Sequence, residues 1–146
     1  MPKRTYCDIL LGRISPEHDI PAKPVVWMGS AKRDLLDLSE DLQDIFGYAI
    51  DLAQRGGRHP NAKPMKGNLR WVTEVVADGS SGTYRAMYTV HFAGVVYVLH
   101  VFQKKSKTGW ATPAADLEVI ERRYEAARQH YEELWRTDDA TEKSQT

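Results

Sequence analysis

Thr83-Tyr-Arg-Ala-Met-Tyr-Thr-Val-His-Phe92 and Val95-Val-Tyr-Val-Leu-His-Val-Phe-Gln-Lys-Lys-Ser-Lys107, joined by Ala93-Gly94, decide how this chain folds. Both runs are rich in β-branched and aromatic residues, the composition of strands on a pleated, half-buried surface. With Leu69 to Ala77, set off by Asp78-Gly-Ser-Ser-Gly82, they predict an antiparallel meander. Register follows from the faces, because a slip of one residue sends every side chain to the other side. A two-residue loop at Ala93-Gly94 puts Tyr84, Ala86, Tyr88, Val90 and Phe92 on one apolar face with Val95, Tyr97, Leu99 and Val101, joined by Leu69, Trp71, Thr73 and Val75. The opposite face then collects Arg85, Thr89, His91, His100, Phe102 and Lys104, with Arg70, Val72 and Glu74. A three-residue loop would bury Arg85 against Val101 without a partner, at a cost on the order of several kcal/mol.

Outward from the hairpin, the pattern turns helical. Pro24 to Met28 reads as a short strand, and Ser30 after Gly29 as a helix N-cap. Leu35, Leu38, Leu42, Ile45, Phe46, Ala49, Leu52 and Ala53 keep the three-and-four spacing of a buried helix face, and Ser39 offers a second N-cap with acids behind it. Two helices or one bent helix satisfy this pattern equally. Gly56-Gly57 closes the segment. After the sheet, Thr112-Pro113 is read as an N-cap with proline in the first helical position, and Leu117, Ile120, Tyr124, Ala127, Tyr131 and Leu134 form one stripe on a last helix. The expected fold class is α+β: an N-terminal helical pair, a curved antiparallel sheet and a C-terminal helix, with helices on one sheet face and the other left open. The folded domain is expected over residues 24–136, after an extension over 1–23 and before a disordered polar tail over 137–146.

A chain of 146 residues sits at the usual single-domain size. One cysteine, Cys7, leaves no intramolecular disulfide and no zinc spacing. No apolar run approaches the roughly 18 residues of a membrane span, and the amino terminus carries no signal-peptide core. A soluble cytoplasmic protein with no membrane partner is therefore expected. The formal charge sums to zero, from 20 basic and 20 acidic residues. That neutrality hides a basic middle: Arg55, Arg58, Lys63, Lys66, Arg70, Arg85, Lys104, Lys105 and Lys107 face only Glu74 and Asp78 between Arg55 and Pro113. Acids concentrate before and after, so one positive surface flanked by negative helices is expected to steer anionic partners.

The cations at the end of the hairpin suit a phosphate. Arg85, with its planar fork, matches a phosphate clamp and equally a salt bridge to Glu74. Lys104, Lys105 and Lys107 fit a solvated turn as well as an anion site. His91 and His100 have no metal-ligand spacing and read as ordinary sheet residues, and Lys66 and Arg70 as phosphate contacts or plain surface charge. Trp71, Tyr84, Tyr88 and Tyr97 are expected to pack against helices, and Arg122-Arg123 to lie on the solvated side of the last helix.

Four segments in order, Gly47 to Gly56, Lys63-Pro-Met-Lys-Gly67, Thr83 to Val90 and Val96 to Gly109 with Thr112-Pro113, resemble the phage-related, HigB-like branch of the RelE/ParE toxin superfamily. The resemblance spans about Pro24 to Tyr131 and implies the RelE fold. It departs from the pattern in the first 23 residues and at Trp110-Ala111, which lengthens the link before Thr112. It further implies a type II toxin that cuts mRNA on the ribosome without a metal or other cofactor and is restrained by a cognate antitoxin, expected to be of helix-turn-helix type. The expected partners are thus the antitoxin, mRNA and the ribosome.

On that reading Arg85, Lys104, Lys105, Lys107 and His100 are the catalytic candidates, and Lys66, Arg70, Tyr84 and Phe102 the RNA-binding ones. Cleavage without a metal needs a base for the 2′-hydroxyl, cations for the phosphorane and an acid for the departing oxygen. Crowded ammonium groups depress one another's affinity for protons, so a lysine could serve as base, with His100 as the alternative acid or base. Phe102 offers a surface for an unstacked base. The absence of overall basic charge fits an RNA that a larger partner positions. Two alternatives stand beside the nuclease: a ParE-type inhibitor of DNA gyrase that hydrolyses nothing, and a phage-derived protein-binding module.

Overall fold

The computed structural model describes residues 22–104 and 112–144, with side chains as far as Leu134. The strands are β1 (Val25–Trp27), β2 (Ala62–Pro64), β3 (Thr73–Gly79), β4 (Gly82–Thr89) and β5 (Val96–Gln103). The helices are α1 (Ala31–Leu36), α2 (Glu40–Gln54) and α3 (Ala114–Ser144), with a 3₁₀ turn at Gly67–Leu69. The α+β class and the order of helices, sheet and helix are those the sequence predicts. The sheet, in the order β1-β5-β4-β3-β2, is mixed and not purely antiparallel: β1 lies parallel to β5, pairing Val25, Val26 and Trp27 with Val96, Tyr97 and Val98.

Local chemistry explains the element ends. Ser39 takes the Leu42 amide on its hydroxyl at 3.4 Å, so the first helical segment is two helices and not one bent rod. At the far end Gly56, at φ 83°, lets its amide and that of Gly57 turn back onto the carbonyls of Ala53 and Leu52 at 3.1 and 2.7 Å, the paired bonds that close a helix at a left-handed residue. Ser30 does not cap α1; its hydroxyl donates to the Asp34 carboxylate at 2.7 Å. Nor does Thr112 cap α3. Its hydroxyl accepts from Arg85, while the Pro113 carbonyl takes the Leu117 amide. That last helix is continuous to Ser144, through the polar stretch that composition alone reads as a tail.

The predicted register holds over half of the hairpin. Tyr84 opposes Gln103, Arg85 opposes Phe102, Ala86 opposes Val101 and Met87 opposes His100, but Tyr88 then opposes Val98, so Leu99 is an extra residue in β5. This bulge re-aims everything before it. Val96, Val98 and Val101 join Val75, Ala77, Ala86 and Tyr88 under α1 and α2, where Leu35, Leu42, Phe46, Ala49, Ile50 and Ala53 complete one core. Tyr97 and Leu99 face the other way, with Met87, Val72, Leu69, Phe92 and Val95, and meet Ile120 and Ala127 of α3. The single apolar face inferred from an unbroken ladder is therefore divided between two cores. Nor is the opposite face open, since α3 lies on it. Each fully buried aliphatic or aromatic side chain contributes about 1.5–3 kcal/mol, so two such layers leave the sheet little freedom to shift.

Trp71 and Val90 depart most from expectation, being exposed where helix packing or an apolar face was predicted. β4 ends earlier than its sequence suggests because the buried Thr89 hydroxyl donates to the Trp71 carbonyl at 2.7 Å and accepts the His91 amide at 3.1 Å. The Ala93-Gly94 turn thus lies inside a longer connection, with Gly94 at φ 84°.

Candidate functional site

Arg85 projects from β4 toward the α3 side, and Glu74 of β3 meets it there. Its Nη1 donates to Glu74 Oε2 at 2.9 Å and to Thr112 Oγ1 at 3.0 Å. The two side chains are 4% and 6% exposed, so both charges are out of water and each depends on the other. Lys63, paired with Glu74 across β2 and β3, brings its ammonium to 3.6 Å from Oε1 while staying 61% exposed. One carboxylate thus gathers two cations. Lys104 is fixed at the end of β5 by its amide, which donates to the Thr83 carbonyl at 2.8 Å. Lys63, Arg85 and Lys104 line a cleft of about 540 Å³ with Asn61, Val76, Asp78 and Thr83. Three cations therefore face two carboxylates, Glu74 and Asp78, and Asp78 already accepts from the Thr83 hydroxyl at 2.9 Å. Such an arrangement can hold one phosphate by charge.

A second cleft, of about 750 Å³, is lined by residues from β4, β5, α1 and the start of α3. Tyr84, His100 and Phe102 line it, and so do Asp34, Asp37 and Asp116. His100 stacks on Phe102 with ring centres 4.6 Å apart, and its Nε2 lies 2.9 Å from Asp116 Oδ1. Arg123 Nη1 approaches His100 Nδ1 at 3.4 Å. A guanidinium can only donate, so Nδ1 accepts and Nε2 carries the proton toward Asp116. Both imidazole nitrogens are engaged in this arrangement, and the carboxylates around them disfavour phosphate.

The structure thus divides the predicted group. Arg85 and Lys104 share the cationic cleft, whereas His100, Phe102 and Tyr84 line the acidic one. Lys66 and Arg70 are exposed on either side of the 3₁₀ turn, with the Arg70 guanidinium 5.1 Å from the Trp71 ring centre. Lys105 and Lys107 lie outside the described residues, as do most of the N-terminal extension and the Trp110-Ala111 link.

Arg123 is a residue beside the site that sequence reasoning placed on the solvated side of the last helix. It is half-buried, donating to the Leu99 carbonyl at 2.9 Å and the Ser30 hydroxyl at 3.2 Å, so it joins α3 to the β5 bulge and to the entry of α1. Burial holds its proton affinity below the usual arginine range, partly offset by Asp34. Its guanidinium lies so near Gly29 that a Cβ there would come within 2.7 Å. The signal was present: Arg123 follows Ile120 by three and precedes Ala127 by four, on the helix face those two bury. Lys63 and Asn61 were also missed as members of the cationic cleft, and only the pairing of β2 with β3 brings them there.

Among the described residues no three His, Cys, Asp or Glu side chains gather where they could hold a metal ion, and no helix is long and apolar enough to cross a membrane.

Comparison with known proteins gives a family and similarity to solved structures. Among solved structures, the toxin–antitoxin complex RelBE2 from Mycobacterium tuberculosis is similar at 25% identity, with a TM-score of 0.40, over 56% of this chain and 98% of the solved one. No curated protein matches. A family described as phage-derived protein Gp49-like (DUF891) matches residues 33–125, which hold both clefts, most of the first helical layer, strands β2 to β5 and the first turns of α3. That is well over half of the sequence, and the chain belongs to the phage-derived Gp49-like family.

Proposed function

We propose that this chain is the toxin of a type II toxin–antitoxin system, of the HigB-like kind, and that it cleaves mRNA on the ribosome through the cleft of Lys63, Arg85 and Lys104. The observation that carries the proposal is that these three cations line one cleft, with Lys63 and Arg85 gathered on Glu74. The resemblance to the phage-related RelE/ParE branch and membership of a phage-derived family support it. Glu74 and Thr112 hold Arg85 rigid, so its charge is placed in advance of the reaction, which is what stabilising a phosphorane requires. Lys63 and Lys104 flank it, and proton transfer falls to the amines of the Lys104–Lys107 segment. His100 is left out of the catalytic set because both of its nitrogens are already engaged. The RNA is brought by the ribosome, in keeping with zero net charge, and a cognate antitoxin covers the cleft in the resting cell.

One observation favours a second reading. Arg85 makes a buried ion pair, and on a gyrase inhibitor of ParE type it would serve only as a strut. Induced expression separates the two. The nuclease arrests translation and leaves new mRNA ends within minutes, and Lys63→Ala with Lys104→Ala abolishes both in a protein that still folds. An SOS response with intact mRNA would overturn the nuclease, as would unchanged cleavage by the double variant.

A further inference from the structure

Trp71 is 46% exposed and stands outside both cores, yet it is not loosely held. Its ring stacks on His91 with centres 4.3 Å apart and planes 23° from parallel. Beneath the stack, the buried Thr89 hydroxyl ties the Trp71 carbonyl to the His91 amide, so one side chain fixes both backbone positions. Phe92, anchored in the α3 core, meets His91 edge-on at 5.3 Å. The Arg70 guanidinium also lies over the Trp71 ring, 5.1 Å from its centre, and Lys66 is exposed at the start of the same turn. A surface tryptophan set in order this way, at no gain to either core, is a preformed stacking surface bordered by positive charge. Two residues, Val72 and Thr73, separate Trp71 from Glu74, at most about 10 Å of chain, so the surface lies on the Lys63 side of the cationic cleft.

We propose that the Trp71–His91 stack is a platform for an unpaired base of single-stranded RNA, with Arg70 and Lys66 on the adjoining phosphates. Planar groups layered with a guanidinium accept any base by its π-face, and flanking cations supply the strand's charge complement. Arg70 is exposed and gives up its place over Trp71 as the base arrives. The inference deepens the RNA-directed reading and rests on it for the identity of the strand, but binding is measurable without ribosome or cleavage.

The test is equilibrium binding of a labelled 12-nucleotide single-stranded RNA, and of the same sequence as a duplex, to the full chain carrying Lys104→Ala. Trp71→Leu should weaken single-strand binding roughly 5- to 150-fold, the range of one lost base stack, while Trp71→Phe keeps most of it and duplex binding does not change. Arg70→Gln should lower the slope of log affinity against log salt by about 0.7, one phosphate contact on a single strand. With Trp27, Trp110 and Trp135 replaced by Phe, the remaining Trp71 emission should be quenched as single-stranded RNA is added. Full affinity in Trp71→Leu, equal loss on the duplex, or loss of a protein partner with RNA binding intact would each overturn the platform. Weakened binding by Trp71→Leu in a protein whose unaltered form cuts no mRNA would uphold the platform while removing the nuclease. The reverse pattern would keep the nuclease alone.

Discussion

Two arginines are withdrawn from solvent beside the two clefts, and their surroundings differ. Arg85, in the cationic cleft, meets a carboxylate, Glu74, with Thr112 as a second acceptor. Arg123, behind the acidic cleft, meets neutral acceptors: the Leu99 carbonyl, the Ser30 hydroxyl and the His100 ring. Its nearest charge compensation passes through Ser30, whose hydroxyl donates to Asp34. A buried charge paired with a buried charge is costly to break and cheap to replace as a pair, whereas one held by dipoles loses only its hydrogen bonds. The cationic cleft therefore has the more brittle floor.

The largest effect expected from this difference is at Arg85. Arg85→Met removes the buried partner of Glu74, leaving only the exposed Lys63 ammonium beside it, and should cost about 3–5 kcal/mol in urea unfolding. Arg85→Met combined with Glu74→Leu should recover most of that loss. A double variant no more stable than the single one would mean that Arg85 acts through Thr112 and the start of α3 and not through the carboxylate. Arg123→Met comes next, at about 2 kcal/mol, the worth of hydrogen bonds from a charged donor, and no single partner replacement should rescue it. Equal losses at the two arginines would erase the distinction between the clefts.

How far the sequence could see follows the same division. The α+β class, the second N-cap at Ser39 and the helix stripe through Ile120 and Ala127 are local patterns, and local patterns were readable. The pairing of Arg85 with Phe102 was readable too, because the hairpin ladder is regular there. Leu99 breaks the regularity, and nothing in a run of alternating apolar residues marks one of them as extra. From that residue onward toward β1, face assignments were inverted. The salt bridge between Glu74 and Arg85 stood among the alternatives from the residues alone. The acidic company of His100 did not, since Asp34, Asp37 and Asp116 come from α1, its C-terminal end and α3, far from β5 in sequence. The cationic cleft gained Lys63 from an edge strand of three residues, and Asn61 from the turn just before it, both too short for any periodicity to declare.

The smallest effect sharpens the comparison at the rim of the cationic cleft. His59 Nδ1 accepts the Asn61 amide at 3.0 Å, and its ring meets Tyr48 edge-on at 5.4 Å. Burial holds its pKa below the ordinary 6.5, so the folded state binds the proton less readily than the unfolded chain. The sign then follows from linkage: stability is fully present above 6.5 and is lost as pH falls below that value toward the folded pKa. Protonation of Nδ1 would also release the Asn61 amide, which loosens the cleft wall at Asn61 and leaves the acidic cleft untouched. Unfolding midpoints at pH 7.5 and pH 5 should therefore fall further apart in the unaltered protein than in His59→Gln, while Arg123→Met should leave that gap as it was. A gap unchanged by His59→Gln would place the acid sensitivity elsewhere in the molecule.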